Sequence, residues 1–341
     1  MIAQPSITQA DVAKAAGVST ASVSRVLNRS PLVTPNVRAR VEAAIKALGY
    51  VPHEAARALA LRRTHVIGAI IPTLNNAIFA AGISALEVAV RERGYTLLLS
   101  VSNYDLEEER RLIRKMIERG VEGMMLVGND HLAESFEELR SAGVRHLCAW
   151  VHKKGAPAAN VGFSNAEAMT DLVDHLVWLG HRKIGMLAGL TATNDRARQR
   201  VLGVRERLAH HDLRLPDEDV IEIPYSIRAA RRAFPDVMAR GVTAVVCGND
   251  VLAIGALFEA QAMGLDVPGD VSITGFDNLN LSSELNPPIT TVDVPGNEMG
   301  KTVAMALIDA IEGDCDVESH ALETALLVRG TTGPAPDANA A

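Results

Sequence analysis

The sequence predicts two different folds in one chain: an N-terminal all-α helix-turn-helix headpiece, and behind it an α/β bilobal core of two doubly wound parallel sheets. Three observations predict it. The net charge is −7 over 341 residues, yet residues 1–64 hold nine Lys/Arg against three acids, +6, leaving −13 on the remainder. Helix-start and helix-stop signals recur three times before residue 50. From His65 onward, apolar runs alternate with amphipathic stretches.

The composition, 48% hydrophobic and 22% charged, is that of an ordinary soluble protein, and the length predicts two or three domains. No apolar run reaches eighteen residues, and the opening MIAQPSITQADVAK has no basic stretch leading into an apolar segment; a cytoplasmic protein without a membrane partner is expected. Cys148, Cys247 and Cys315 have no ligand spacing and are expected to be buried or neutral thiols, with no metal and no cofactor.

In the headpiece, Thr8 with Asp11 reads as a capping box, and Val12, Ala13 and Ala16 make a small apolar face ending at Gly17. Ser19 is the next N-cap, and Val23, Val26 and Leu27 recur at helical spacing up to Asn28. Thr34 caps a third helix with Pro35 at its first position, and Val37, Val41, Ile45 and Leu48 run to Gly49. A short turn containing Gly between two helices is a DNA-reading arrangement whose second helix enters the major groove. That helix would present Thr20, Ala21, Ser22, Ser24, Arg25 and Asn28. Arg25 can give two parallel hydrogen bonds to guanine, whereas Ser19, Ser22, Asn28 and Thr34 suit phosphates. The same residues also fit a small helical domain with a merely solvated polar face.

The words decide between these readings. Asp11 to Asn28 matches the pattern DVAxxAGVSxxTVSRVLN, with Ser22 where Thr is usual, and Thr34 to Pro52 matches TxxxRxxVxxAxxxLGYxP. The chain resembles the lactose-repressor (LacI/GalR) family nearly end to end. The resemblance implies a transcriptional regulator, most simply a repressor, that binds a palindromic double-stranded DNA operator as a homodimer and is no enzyme. It also implies that HEAARALAL, after Pro52, is a hinge helix folding on DNA, with Leu59 wedged into the minor groove. Nine residues are too few to hold helix alone, and His53, where Asn is usual, is a weaker cap. The expected organisation is a headpiece over 1–52, hinge 53–64, core 65–331 and a disordered tail 332–341. Within the core, the N-lobe takes 65–164 plus 293–321, and the C-lobe 165–292 plus 322–331.

In the core, VIGAII, TLLLSV, GMMLVG and LCAW form one series of strands, and KIGMLAGL, IEIPY, TAVVCGN and VSITGFD a second. Strands separated by helices imply parallel sheets with both faces covered, and ligands then bind beyond the strand C-termini, between the lobes. The family resemblance agrees, implying a periplasmic-binding-protein-like core that takes a small-molecule effector. Candidate contacts at strand ends are Asn76, Phe79, Asn103, Tyr104, Asn129, Asp130, Trp150 and His152 on the N-lobe. The C-lobe offers Ser164, Arg200, Tyr225, Asn249, Asp250 and Asp277. Arg200 and Asp277 match the family's most used ligand positions. Core packing is the competing role for Phe79 and Tyr225, and turn or cap duty for Asn249 and Asp250.

Pro72 to Phe79 lacks the aspartate common after the family's first strand. With NYD at 103–105 and VGFSNAEA at 161–168, this looks like the branch that includes gluconate-type repressors. A lost carboxylate, a retained Arg200 and the added His152, Lys153 and Lys154 favour a sugar acid over a neutral sugar. Three further signals are discounted. Gly296 to Thr302 is one residue short of a phosphate loop, Gly162 to Ala166 has no triad partners in order, and the histidines lack zinc spacing.

Overall fold

A computed structural model describes residues 7–27, 30–50, 63–75 and 77–336. Asn28, Leu59 and Asn76, and nearly all of the expected hinge, lie outside the described residues. The chain divides into two compact units, residues 1–64 and 65–341.

The first unit contains α1 (Gln9–Ala16), α2 (Thr20–Leu27) and α3 (Pro35–Leu48). The Thr8 hydroxyl accepts from the Asp11 amide while the Asp11 carboxylate takes the Thr8 backbone N–H, closing the capping box. These bonds, the Thr8 side chain's first, hold the Asp11 carboxyl below its ordinary range. Gly17 and Gly49 end α1 and α3 in the left-handed conformation that glycine adopts without strain. Thr34 stands at the N-cap of α3 but its side chain makes no capping bond, a correction to the sequence reading; Pro35 fixes the helix entry instead. Val12, Val23 and Val41, one from each helix, are fully buried together. Arg40 clamps the turn, donating from Nη2 to the carbonyls of Ala16 (2.5 Å) and Gly17 (2.9 Å).

The second unit holds two six-stranded sheets. One contains β1 (Val66–Ile71), β2 (Thr96–Val101), β3 (Gly123–Val127), β4 (Arg145–Ala149), β5 (Ala159–Gly162) and β11 (His320–Ala321), ordered β11-β5-β4-β3-β1-β2. The other contains β6 (Ile184–Ala188), β7 (Val220–Glu222), β8 (Ala244–Cys247), β9 (Ser272–Asp277), β10 (Thr290–Asp293) and β12 (Ala325–Leu327), ordered β12-β10-β9-β8-β6-β7. All pairings are parallel except β10 with β12. The chain crosses from β10 to the first sheet and back, so β12 returns against β10. Strands β5, β11 and β12 escaped the apolar-run reading because two to four residues carry too little pattern.

Helices α4 (Ala80–Glu92) and α12 (Gly296–Gly313) pack tightly, and a Cβ on Gly300 would strike the backbone of Gly82 and Leu86. The glycines of the discarded phosphate-loop signal are thus helix-packing residues. Cys315 is exposed, unlike the buried Cys148 and Cys247. The tail also departs from expectation. Thr331 is fully buried, Gly333 bonds Ser272 and Ala335 donates to the Leu179 carbonyl, so residues 332–336 pack on the core despite their polar, Pro-containing composition. No helix among the described residues is long and apolar enough to cross a membrane.

Candidate functional site

The first candidate surface is the outer face of α2. Ser19, Thr20, Ala21 and Arg25 are exposed, Ser22 and Ser24 half-buried. Ser19 accepts from the Ser22 amide at 3.2 Å, so the helix start is held locally. Arg25 has no ion pair among the described residues, which leaves its five donors open to an outside acceptor. Thr8 and Thr34 are exposed as well, but the Thr8 hydroxyl is engaged by Asp11 at 2.7 Å.

The second candidate is the cleft between the two sheets. It is organised by the start of α8 (Asp195–His210), which Asn194 caps. Arg200, one turn further on, is buried. Its Nε donates to Asn165 Oδ1 (2.9 Å), its Nη1 to the Gly248 carbonyl (2.6 Å), and its guanidinium lies 3.7 Å over the Phe276 ring. Its Nη2 stays 3.9 Å from Asp277, so that pair is not closed by a hydrogen bond. Asp277 ends β9 at φ 103°, buried, and its Oδ2 has no partner. Burial, above all, pushes this carboxyl up to about 7, against the pull of Arg200. Tyr225 lines cavities with both Arg200 and Asp277, its phenol pushed up to about 12 by burial.

These groups surround three cavities. An inner chamber of about 10 Å³ is lined by Phe79, Tyr104, Trp150, Arg196, Arg200 and Tyr225, among others. A cavity of about 450 Å³ adjoins it at Tyr104, Asn194 and Tyr225 and includes Asn103. A larger one, about 1210 Å³, shares Ile78 and Tyr225 with the chamber and reaches Asp277. Phe79 and Trp150 pack edge to face at 5.0 Å, so both are core and wall at once. Ser164 and Asn249 are not among the lining residues: Ser164 accepts from the Glu167 amide, and Asn249 caps α10 (Asp250–Ala262) through the Leu252 amide. Asn249 Nδ2 is buried without a partner. Asp250 is committed to Ser282, Thr291 and the Leu279 amide.

The N-lobe loop after β3 meets α8 rather than open space. Asn129 N–H donates to Asp195 (2.7 Å), Arg196 Nη1 donates to the Val127 carbonyl (3.1 Å) and to Asp195 (2.9 Å), and Arg198 pairs with Asp130 (2.6 Å). Lys153 and Lys154 are exposed, and neither they nor His152 lines these cavities. None of the three therefore lends a charged group to the cavity walls. Arg196 does, and the sequence reading passed over it. Its spacing of four from Arg200 at a helix start was the available signal.

Residues 8–53 match the model for bacterial regulatory proteins of the lacI family, and residues 173–332 that for a periplasmic binding protein-like domain. Among curated relatives, the transcriptional regulator MalR of Streptomyces coelicolor is 34% identical, covering 96% of this chain and 97% of its own. Catabolite control protein A of Priestia megaterium is 32% identical over 89% of this chain and 91% of its own. The lac repressor dimer bound to operator and an anti-inducer superposes with a TM-score of 0.86 at 27% identity, covering 96% and 99% of the two chains. Helix-turn-helix unit, two-sheet core and these full-length likenesses agree: the chain belongs to the lacI family, as a sequence-specific DNA-binding transcriptional regulator and not an enzyme.

Proposed function

We propose that the chain is a homodimeric repressor of a palindromic operator whose DNA affinity is set by a sugar or sugar acid held between the lobes. The observation that carries the effector half is the buried Arg200–Asp277 pair, 3.9 Å apart with Asp277 Oδ2 unpartnered. A buried polar atom without a bond costs about 1–3 kcal/mol, and a ligand hydroxyl or carboxylate would recover it. Phe79, Trp150 and Tyr225, which line the chamber with Arg200, and Asn103 of the adjoining cavity are the candidate wall and stacking groups. Ser164, Asn249 and Asn76 remain proposed contacts, Asn249 through its spare Nδ2. Related structures support the assignment: one is a lac repressor dimer on its operator, another a regulator CelR in complex with cellobiose, at 28% identity and a TM-score of 0.71.

For the DNA half, Arg25 reads a guanine, Thr20, Ala21, Ser24 and Asn28 line the groove, and Thr8, Ser19, Ser22 and Thr34 meet phosphates. Leu59 of a hinge within 53–64 enters the minor groove. Effector binding shifts the lobe arrangement and so the hinge equilibrium, and DNA and effector affinities are reciprocally coupled. Footprinting of the full chain on genomic fragments, repeated with a panel of sugars and sugar acids, tests this. Protection of a palindrome that one compound changes is expected. Protection indifferent to all of them, or no protected palindrome, overturns the reading.

A further inference from the structure

We propose that Arg196 is a specificity-determining residue of the effector cleft, placing a carboxylate or phosphate of the ligand between its own guanidinium and that of Arg200. The inference rests on the cleft being the effector site and adds the charge class of what enters it.

Four observations carry it. First, Arg196 and Arg200 lie four apart on α8, on one helix face, and both line the inner chamber. Both are also buried, at 5% exposure each. Like charges a turn apart repel, and burial removes the water that would screen them. Second, the local anions pair closely with only one of the two. Asp195 is used by Arg196 and the Asn129 amide, while Asp277 stays 3.9 Å from Arg200 with one oxygen unpartnered. Asp250 behind it is tied to Ser282 and Thr291, and Asp130 to Arg198 at the rim. Third, Asn194, the N-cap of the sixteen-residue α8, lines the same chamber, so the partial positive charge of a helix N-terminus lies beside it. Fourth, the chamber has about 10 Å³ of space, too little for a sugar ring and barely room for one water. Arg196 lines it while donating to the Val127 carbonyl across the cleft. A ligand that reaches both arginines must therefore displace protein side chains, and an anion repays that displacement because it offers charge-assisted bonds in place of the Val127 carbonyl.

A neutral polyol would leave Arg200 without a closed ion pair, since Asp195 serves Arg196 and Asp277 stands 3.9 Å from Arg200. A carboxylate or phosphate would not, and the buried Asp277 carboxyl, whose proton affinity is raised, can then donate to the ligand. Sugar acids and sugar phosphates share this chemistry, so both are tested.

The experiment is calorimetric titration of the full chain with D-gluconate, D-glucose 6-phosphate, inorganic phosphate and D-glucose, repeated on Arg196→Gln, Arg196→Lys and the rim variant Arg198→Gln. At least one of the three anions is expected to bind while glucose does not. Arg196→Gln should weaken that binding by about tenfold or more, Arg196→Lys by less, and Arg198→Gln should leave the anion preference in place. Circular dichroism melting of each variant separates loss of binding from loss of fold. Binding of glucose with equal affinity in wild type and Arg196→Gln overturns the role of Arg196 and leaves the cleft as an effector site. Absence of binding by all three anions overturns it as well, and footprinting with neutral sugars then decides whether the cleft reading itself survives.

Discussion

The headpiece and the core place their working residues at opposite extremes of burial. On α2, the groups proposed to read DNA are exposed or half-buried, and the helix start is held by a bond between residues three positions apart. In the cleft, Arg200 and Asp277 are 5% and 9% exposed and are brought together only by the stacking of strands and helices distant in sequence. An exposed reader can lose a side chain without disturbing its fold. A buried receptor cannot, because the same bonds that wait for a ligand also keep polar groups satisfied inside.

The largest effect that separates the two regions is expected at Arg200. Arg200→Ala strips Asn165, the Gly248 carbonyl and Asp277 of their cation and empties the space over Phe276. Removing one partner of a buried charged group costs about 3–5 kcal/mol, so urea unfolding of the core should shift by that order. A shift under about 1 kcal/mol would mean that the core is not organised around this side chain. Asp277→Asn tests the same pair from the other side. The folded carboxyl, at about 7, lies above the ordinary value of 3.8, so the folded state holds its proton longer than the unfolded one. Its contribution is therefore full below pH about 4 and lost as pH rises through about 7. Relative to Asp277→Asn, the wild type should lose stability across that window and run parallel above it, as read by unfolding at a series of pH values. The opposite slope would place the carboxylate in a closed salt bridge.

The exposed region should respond with less stability loss and more loss of discrimination. Arg25→Ala is expected to cost about 1–3 kcal/mol of preference for operator over scrambled DNA per half-site, with thermal unfolding unchanged within about 0.5 kcal/mol. Fluorescence anisotropy on both DNAs measures it. Equal weakening on operator and scrambled DNA would make Arg25 a phosphate contact instead.

The same contrast explains what could be read from the sequence. Capping box, turn glycine and the Val12–Val23–Val41 core follow from spacing, since a 3.6-residue period tells inside from outside within one helix. The long buried strands were equally legible, because six consecutive apolar residues cannot sit in water. Arg200 and Asp277 were singled out by family resemblance, and their mutual geometry was not readable from spacing. Arg196 was missed because nothing local says that the Val127 carbonyl of the other lobe will stand beside it. Polar Thr332 and Gly333 looked like a free tail, but Thr290 and Ser272 supply bonds that only the folded sheet brings within reach.

The smallest expected effect concerns the rim, where the two kinds of surface meet in one protein. The Arg198–Asp130 pair bridges the lobes, but its side chains are 45% and 37% exposed, so water and salt screen it to at most about 1 kcal/mol. That is little for stability, yet it biases closed against open lobes by up to about fivefold. Trp150, 2% exposed beside the chamber, reports on that opening, provided that Trp178, 80% exposed, is first replaced by Phe. In that background, Asp130→Asn or Arg198→Gln should raise acrylamide quenching of Trp150 without moving the unfolding midpoint by more than about 1 kcal/mol. Reversing both charges, Asp130→Arg with Arg198→Asp, should return it toward the starting value. Quenching unchanged in all three would leave the closed cleft resting on the buried bonds of Asp195 and Arg196 alone.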